Sequence, residues 1–305
     1  QLHDEGLVRT QQYSAEVRLA SDQSQPFFYQ VGAFAWRSDN KQDFTRRDIS
    51  CASSSLPVAA SGATPCNVAN TTTTLFPTAT SYSDVNSTNY AVFGQATYKF
   101  TEQLSLTAGL RYTHDKLDFV HTRAPGVNAA TGLPATGPGV LGVGAGGVTT
   151  NGGNGTNTST GSSSNGNISG KVVLQFKPSD DIMLYGSYTR GYKGPAFNVF
   201  FNHVAPNNAV PIDEETSNAF EVGFKSQFFD NRAQLNVSLF QVEYDGFQAN
   251  NFIEVGTPPT VISNLTNAGT VESKGFEADL LFVPTDGLTL RGSAASAMAG
   301  ANSSS

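Results

Sequence analysis

Four histidines, two cysteines and a few short motifs are the residues of this 305-residue chain whose types could do chemistry. A metal would need clustered ligands, but His3, His114, His121 and His203 are scattered. The nearest pair, His114 and His121, has opposite strand parity and no cysteine close by, so solvated strand ends or loops are expected and no metal site. Cys51 and Cys66 fall in one long loop. In an exported protein that arrangement points to a disulfide rather than a reactive thiol, and closing such a loop contributes about 3 kcal/mol. Gly142-Val143-Gly144-Ala145-Gly146-Gly147 matches GxGxxG, yet it neither follows a convincing strand nor opens a helix, and no acidic residue follows at the required distance. Ser38-Asp39-Asn40-Lys41 satisfies SxxK and SDN at once, whereas penicillin-recognising enzymes need them on separate elements; the overlap reads as chance. Glu243 and Asp245 point the same way from one strand about 7 Å apart, but a glycosidase pair flanks its bond across a cleft, so a solvated strand end is expected. No catalytic constellation forms, no cofactor is implied, and the chain is not expected to be an enzyme.

The composition supports that. Only 14% of residues are charged and 38% hydrophobic, with 30 Gly, against about a quarter charged in an ordinary globular protein. Gly, Ser, Thr, Asn and aromatics fill the difference. A net charge of −7 and no basic stripe exclude nucleic acid as partner. The long uncharged stretches 49–83 and 124–170 are too rich in Gly, Pro, Ser, Thr and Asn to be helical membrane spans. The first residue is Gln1 and no basic, apolar, small-residue export pattern follows it, so any export signal is expected upstream.

What must position these residues is a set of strands. Leu104, Leu106, Ala108, Leu110 and Tyr112 alternate with Ser105, Thr107, Gly109, Arg111 and Thr113, which gives a strand with one apolar face. The same phase runs through Tyr13/Ala15/Val17/Leu19, Tyr90/Val92/Gly94/Ala96/Tyr98/Phe100, Val172/Leu174/Phe176, Phe220/Val222/Phe224/Ser226/Phe228, Phe276/Ala278/Leu280/Phe282 and Leu288/Leu290. Charge is confined to the opposite faces: Glu16, Arg18, Lys99, Arg111, Lys171, Lys177, Glu221, Lys225, Glu277, Asp279 and Arg291. Residues 27–36, 181–192 and 233–248 also read as extended, although adjacent apolar pairs such as Leu239 and Phe240 must point to opposite faces. Short turns alternate with long links at 38–86, 121–167, 193–215 and 250–268, so every long link falls on one end. The stretch 140–170 reads as a mobile loop.

About ten antiparallel strands of about ten residues, with tight turns at one end and long loops at the other, fit a transmembrane β-barrel whose apolar side chains face lipid. A secreted β-sandwich also alternates, but seldom confines its long loops to one end. Tyr90, Tyr112, Phe228 and Phe282 would serve either as an interfacial girdle or as ordinary strand aromatics. In the 193–215 link, Phe197, Phe200, Phe201 and His203 would either recognise a ligand or pack against neighbouring loops.

Tyr185-Gly186-Ser187-Tyr188-Thr189-Arg190-Gly191-Tyr192-Lys193-Gly194 resembles a stretch of the barrel of TonB-dependent receptors, the energised outer-membrane transporters of Gram-negative bacteria. The resemblance continues through Phe220-Glu221-Val222-Gly223-Phe224-Lys225, Phe228-Phe229-Asp230-Asn231-Arg232, Phe240, Tyr244, Gln248, Asn267-Ala268-Gly269 and Gly275-Phe276-Glu277-Ala278-Asp279. Weaker matches are Glu16-Val17-Arg18-Leu19 and Ala108-Gly109-Leu110-Arg111-Tyr112. It implies an all-β fold, a partial antiparallel barrel spanning residues 1–305 with long loops on one end. Large members have about 22 strands and a plugged lumen, so the plug, its partner-binding box and the terminal strands are expected outside these residues. The resemblance implies, as partners, outer-membrane lipid, an extracellular nutrient ligand, and a TonB-type energy-coupling protein acting through the N-terminal box. The nutrient would be a metal–siderophore complex, a vitamin or an oligosaccharide. A passive porin-type channel and a secreted β-sandwich binding module are the alternatives.

Overall fold

The computed structural model describes residues 2–48, 50–51, 74–75, 77–135, 140, 157–199, 201, 210–255 and 260–302. Its regular elements are all strands: β1 (Leu2–Ala20), β2 (Phe27–Asp48), β3 (Ser50–Cys51), β4 (Thr74–Leu75), β5 (Pro77–Lys99), β6 (Leu104–Arg123), β7 (Val127–Asn128), β8 (Asn157–Ser179), β9 (Ile182–Lys193), β10 (Glu215–Phe228), β11 (Ala233–Asp245), β12 (Gln248–Val255), β13 (Thr260–Asn267), β14 (Thr270–Thr285) and β15 (Leu288–Asn302). Ten of them form one antiparallel wall in the order β1-β2-β5-β6-β8-β9-β10-β11-β14-β15, and β7 adds to β5. The ends of this order, β1 and β15, are paired on one side only among the described residues, so the wall is an open part of a barrel. β12 and β13 form a separate hairpin, and so do β3 and β4.

Side-chain phase follows from the register. Val17, Ala33, Val92, Tyr112 and Ile168 lie in one row across five strands, and all point to the same side. That side is exposed: Val17 is 75% and Leu110 68% accessible. Buried apolar residues are few, among them Ala79, Ala91, Phe119, Val140, Ile212 and Ala233. No second sheet covers the apolar side among the described residues, which removes the sandwich reading. Its outward band, for example Leu104 to Tyr112 on β6, is nine residues tall. At about 3.3 Å per residue and a tilt of about 40° it spans about 23 Å, the height of a lipid-facing belt. Glu16, Arg18, Lys99, Arg111, Lys171, Glu221, Lys225, Glu277, Asp279 and Arg291 take the other, inner side, and outward charge among the described residues stands only beyond the belt, as at Arg37 and Lys116.

Above the belt the strands are longer than their alternation predicts. β2, β5, β6 and β8 have 22, 23, 20 and 23 residues, so the links expected at 38–86 and 121–167 are largely strand at their margins. The mobile loop expected over 140–170 is corrected in the same way, because 157–170 belongs to β8 and pairs with β6 in unbroken register. Outside lipid the outer face is solvated, so its apolar alternation ceases while the backbone ladder carries on. At the tight end the β10–β11 turn uses left-handed backbone at Phe229, Asp230 and Asn231 (φ 55°, 53° and 65°).

Candidate ligand-facing site at the loop end

The inner face of the long strands holds several of the best-buried side chains among the described residues. Phe119, His121 and Arg123 alternate inward along β6 and are 2%, 1% and 0% exposed. Small residues on the flanking strands make room for them: Ala79, Ser81 and Ser83 on β5, Ser159 and Gly161 on β8. A Cβ on Gly161 would come within 2.4 Å of the Phe119 ring and 2.9 Å of the Phe197 ring, so this position must lack a side chain.

Phe197 comes from the link after β9. Its ring centre lies 4.7 Å from that of Phe119, and Phe201 lies 5.2 Å from Phe44 of β2. Two guanidiniums face the Phe201 ring, Arg123 at 4.0 Å and Arg46 at 5.1 Å. Arg46 is also held by Asp4 through two bonds of 2.7 Å. Burial pushes Arg123 down to about 10, with Arg46 adding a smaller effect in the same direction. It therefore stays charged at neutral pH.

Three amide side chains tie the link down. Asn198 donates to Leu265 O (2.7 Å) and accepts from Leu265 N (2.5 Å), joining the link to β13. Gln248 donates to Gly194 O and Asp213 O, both at 2.9 Å. Asn267 accepts from Asp213 N (2.9 Å) and donates to Gly246 O (2.7 Å). The two arms of the link bond each other at Ala196 and Ile212 (3.1 and 2.8 Å). The link is thus folded against the inside of the wall at its mouth, and the site is aromatic and cationic.

Asp4 is the group whose titration this mouth feels. The hydrogen bond from Arg46 holds its carboxyl below the usual carboxylate range. A folded value below the unfolded one means that the stabilisation is complete above the unfolded value and is lost as pH falls through the folded one. Both partners are part-exposed, so the effect is under about 1 kcal/mol. On acidification below about pH 4, the wild type is expected to lose stability relative to Asp4→Asn, measured by urea unfolding in lipid vesicles.

Of the sequence candidates, the structure brings Phe197 and Phe201 to this site, where they pack against the wall; Phe200 and His203 lie outside the described residues. His121, expected to be solvated, is buried beside Arg123 because β6 continues past the belt. His114 faces the other side, 3.2 Å from Ser164 Oγ. The disulfide expected between Cys51 and Cys66 falls outside the described residues, apart from the backbone of Cys51 in β3. Gly142 to Gly147 fall outside them too. Ser38 to Lys41 belong to β2 and not to a loop, with Lys41 3.5 Å from Asp84. Glu243 and Asp245 share one face at the end of β11, as their parity requires. Sequence reasoning missed Arg46, Arg123, Phe119 and Gly161; the inward parity of Phe119, His121 and Arg123 on one strand was the available signal.

A family model described as TonB dependent receptor-like, beta-barrel, matches residues 4–303. Among solved structures, the ferric yersiniabactin uptake receptor FyuA from Yersinia pestis superposes with a TM-score of 0.68 at 16% identity, covering 99% of this chain and 37% of that one. The siderophore receptor PiuA from Acinetobacter baumannii gives 0.59 at 17% identity, over 98% of this chain and 39% of that one. The copper transporter OprC gives 0.50 at 14%, over 94% and 46%. At these identities the likeness is one of fold, and the chain spans less than half the length of each.

Proposed function

The chain belongs to the TonB-dependent receptor family, through its β-barrel part, and from that premise we propose that it walls an outer-membrane receptor that takes up a scarce, bulky nutrient at the expense of inner-membrane energy. Receptors of this family are outer-membrane proteins of Gram-negative bacteria. The observation that carries the reading is the family match over residues 4–303 on a wall with an apolar exterior and a charged interior. The mouth adds the chemistry of the ligand. Arg46 and Arg123 beside Phe44, Phe119, Phe197 and Phe201 suit an anionic, partly aromatic molecule, and a ferric siderophore of the catecholate type has that character. A vitamin or an oligosaccharide is a poorer match to two guanidiniums. The ligand would bind at the loops and the plug, and contact between the N-terminal box and a TonB-type coupler would then shift the plug. This chain supplies wall and loops and forms no covalent bond with its cargo.

The test is uptake of radiolabelled ferric siderophores by receptor-deficient cells carrying the whole protein. At least one complex is expected to accumulate, and deleting the coupler should abolish that accumulation. Accumulation that persists without the coupler would replace this reading with a passive channel.

A further inference from the structure

The inner face of the wall carries a second cationic point far below the mouth. Arg111 on β6 lies opposite Ser169 on β8, and Lys171 lies opposite Gly109, so the two cations are diagonal neighbours across one strand pair. Their Cα atoms are about 7–8 Å apart. Arg123, a cation of the mouth, stands on the same side of β6 but at its far end. At about 3.3 Å per residue and a tilt of about 40°, that is about 30 Å higher. Between Arg111 and Phe119 the same row holds Thr113, Asp115 and Leu117, and Asp115 accepts from Asn89 Nδ2 at 2.6 Å. The two cationic points are therefore separate.

Arg111 is held in one pose. Its Nε donates to Thr113 Oγ1 (3.0 Å), and its guanidinium lies 5.5 Å from the centre of the Phe34 ring and 5.7 Å from that of Phe93. Among the described residues its Nη nitrogens and Lys171 Nζ have no hydrogen-bond partner, and neither cation has a carboxylate within ion-pair distance. Two such charges repel, and an anion between them removes the repulsion. Gln30, Gln95, Gly109, Lys171 and Thr189 form one row across the strands beside them. A Cβ on Gly109 would meet nothing closer than 3.5 Å, so packing does not require glycine there, unlike Gly32 and Gly161, whose places are taken by rings. The space left open is a recess of about 350 Å³ lined by Gln30, Gln95, Arg111, Ser169, Lys171 and Thr189. That volume is at the small end of ligand pockets and suits one arm of a larger complex.

We propose that Arg111 and Lys171 form a transit site for anionic cargo, taking one carboxylate or catecholate arm after the complex leaves Arg46 and Arg123, and so setting the rate of passage and not the affinity of the mouth. The inference rests on the uptake reading and deepens it, by naming the side of the wall along which cargo descends. Guanidinium and ammonium hold such an arm through charge-assisted hydrogen bonds, and the amides of Gln30 and Gln95 add neutral donors. The other side of the wall is unsuited to an anion. At belt height β10 and β14 present Glu221, Glu277 and Asp279 inward against one cation, Lys225.

The experiment uses the whole protein in lipid vesicles, with Ser169→Cys as a reporter in the recess and labelling of the Ser169 protein subtracted as background. Two thiol reagents of similar size are compared, the anionic sulfonatoethyl and the cationic trimethylammonioethyl methanethiosulfonate. The anionic reagent should react at least about tenfold faster, and Arg111→Gln with Lys171→Gln should erase that preference. In cells, the same double variant should bind a ferric tris-catecholate at the surface as tightly as the wild type but take it up about tenfold more slowly. Gly109→Leu, which fills the recess and leaves both cations in place, should slow uptake in the same way. Each variant is first checked for the heat-modifiable gel migration of a folded barrel. Equal rates for the two reagents would mean that a carboxylate from the rest of the protein already neutralises the pair, and would overturn the proposal; so would unchanged uptake in the folded variants. A wild type that accumulates no ferric complex would instead sink the uptake reading, while the reagent ratio still decides the anion site.

Discussion

Val172→Arg is expected to block assembly of the wall in a bilayer, while Ser164→Arg, on the same face of the same strand, leaves it intact. Val172 lies in the middle of the outward belt, in one row with Tyr29, Ala96 and Ala108 and beside Tyr188. Ser164 faces the same way but stands eight residues farther toward the loops, opposite Lys116, where side chains are already charged. Arginine at the midplane costs about 2–4 kcal/mol and falls to about 0–1 near the interface. The midplane cost corresponds to roughly 30- to 800-fold in the folding equilibrium. Lys171, one residue from Val172, points to the inner side, so its replacement by Leu should shift stability by no more than about 0.5 kcal/mol. Urea unfolding in lipid vesicles of the three variants reads all of these effects. A depth-independent cost, equal for Val172→Arg and Ser164→Arg, would mean that the apolar face is packed by protein and not by lipid.

The same contrast explains which parts of the architecture were legible. Where lipid lies outside and water inside, solvation enforces period two, and the seven clean strands could be read directly with their charged inner faces. β2 was harder because its inner face is aromatic as well: Phe28 and Phe34 point inward opposite Phe27 and Ala35. They are there as seats for cations, with Lys99 5.3 Å from the Phe28 ring and Arg111 5.5 Å from the Phe34 ring. Phe93, inward on β5, takes Arg18 and Arg111 in the same manner, at 5.9 and 5.7 Å. Arg18 also pairs with Glu16, whereas Arg111 rests on the two rings and donates to Thr113 Oγ1, a seat that charge balance along the sequence does not reveal. Leu239 and Phe240 resolve as their adjacency demands, with Leu239 outward and Phe240 inward against Gly275.

Beyond the belt the pattern vanished because the outer face turns polar while the inner face mixes aromatic and polar residues. The run of Ser, Gly and Asn over 157–167 has the composition of a solvated loop, yet it forms the outer half of β8 by pairing its backbone with β6. Such a strand borrows its stability from the neighbour, which no local propensity reports. The mouth was illegible for a related reason. Its members come from β2, β5, β6, β8 and the link after β9, and only the register brings Phe44, Phe119 and Phe201 to one place.

That assembly implies that the link is latched to the wall chiefly through Phe119, so Phe119→Ala should release it without unfolding the strands. Phe119 is 2% exposed and seats Phe197. Truncating a buried phenylalanine costs about 3–5 kcal/mol, and here the cost falls on the docked link, because the β6 backbone keeps both neighbours. The amides of Ala196 and Ile212, which bond each other across the link, report its opening. Their hydrogen exchange should accelerate by about a hundredfold or more, while amides in the belt of β6 stay protected. Gly161→Leu should do the same by overfilling the seat, since its Cβ alone would collide with both rings. Val120→Ala is the control: Val120 adjoins Phe119 but points outward, 39% exposed, and its truncation should leave the link closed. If Ala196 and Ile212 keep their protection in Phe119→Ala, the amide ties from Asn198, Gln248 and Asn267 suffice to hold the link, and the aromatic seat is ornamental to it. If protection is lost, the mouth opens by an aromatic latch that lies beside Arg46 and Arg123. An anionic ligand reaching those guanidiniums would then compete directly with Phe201 for their faces.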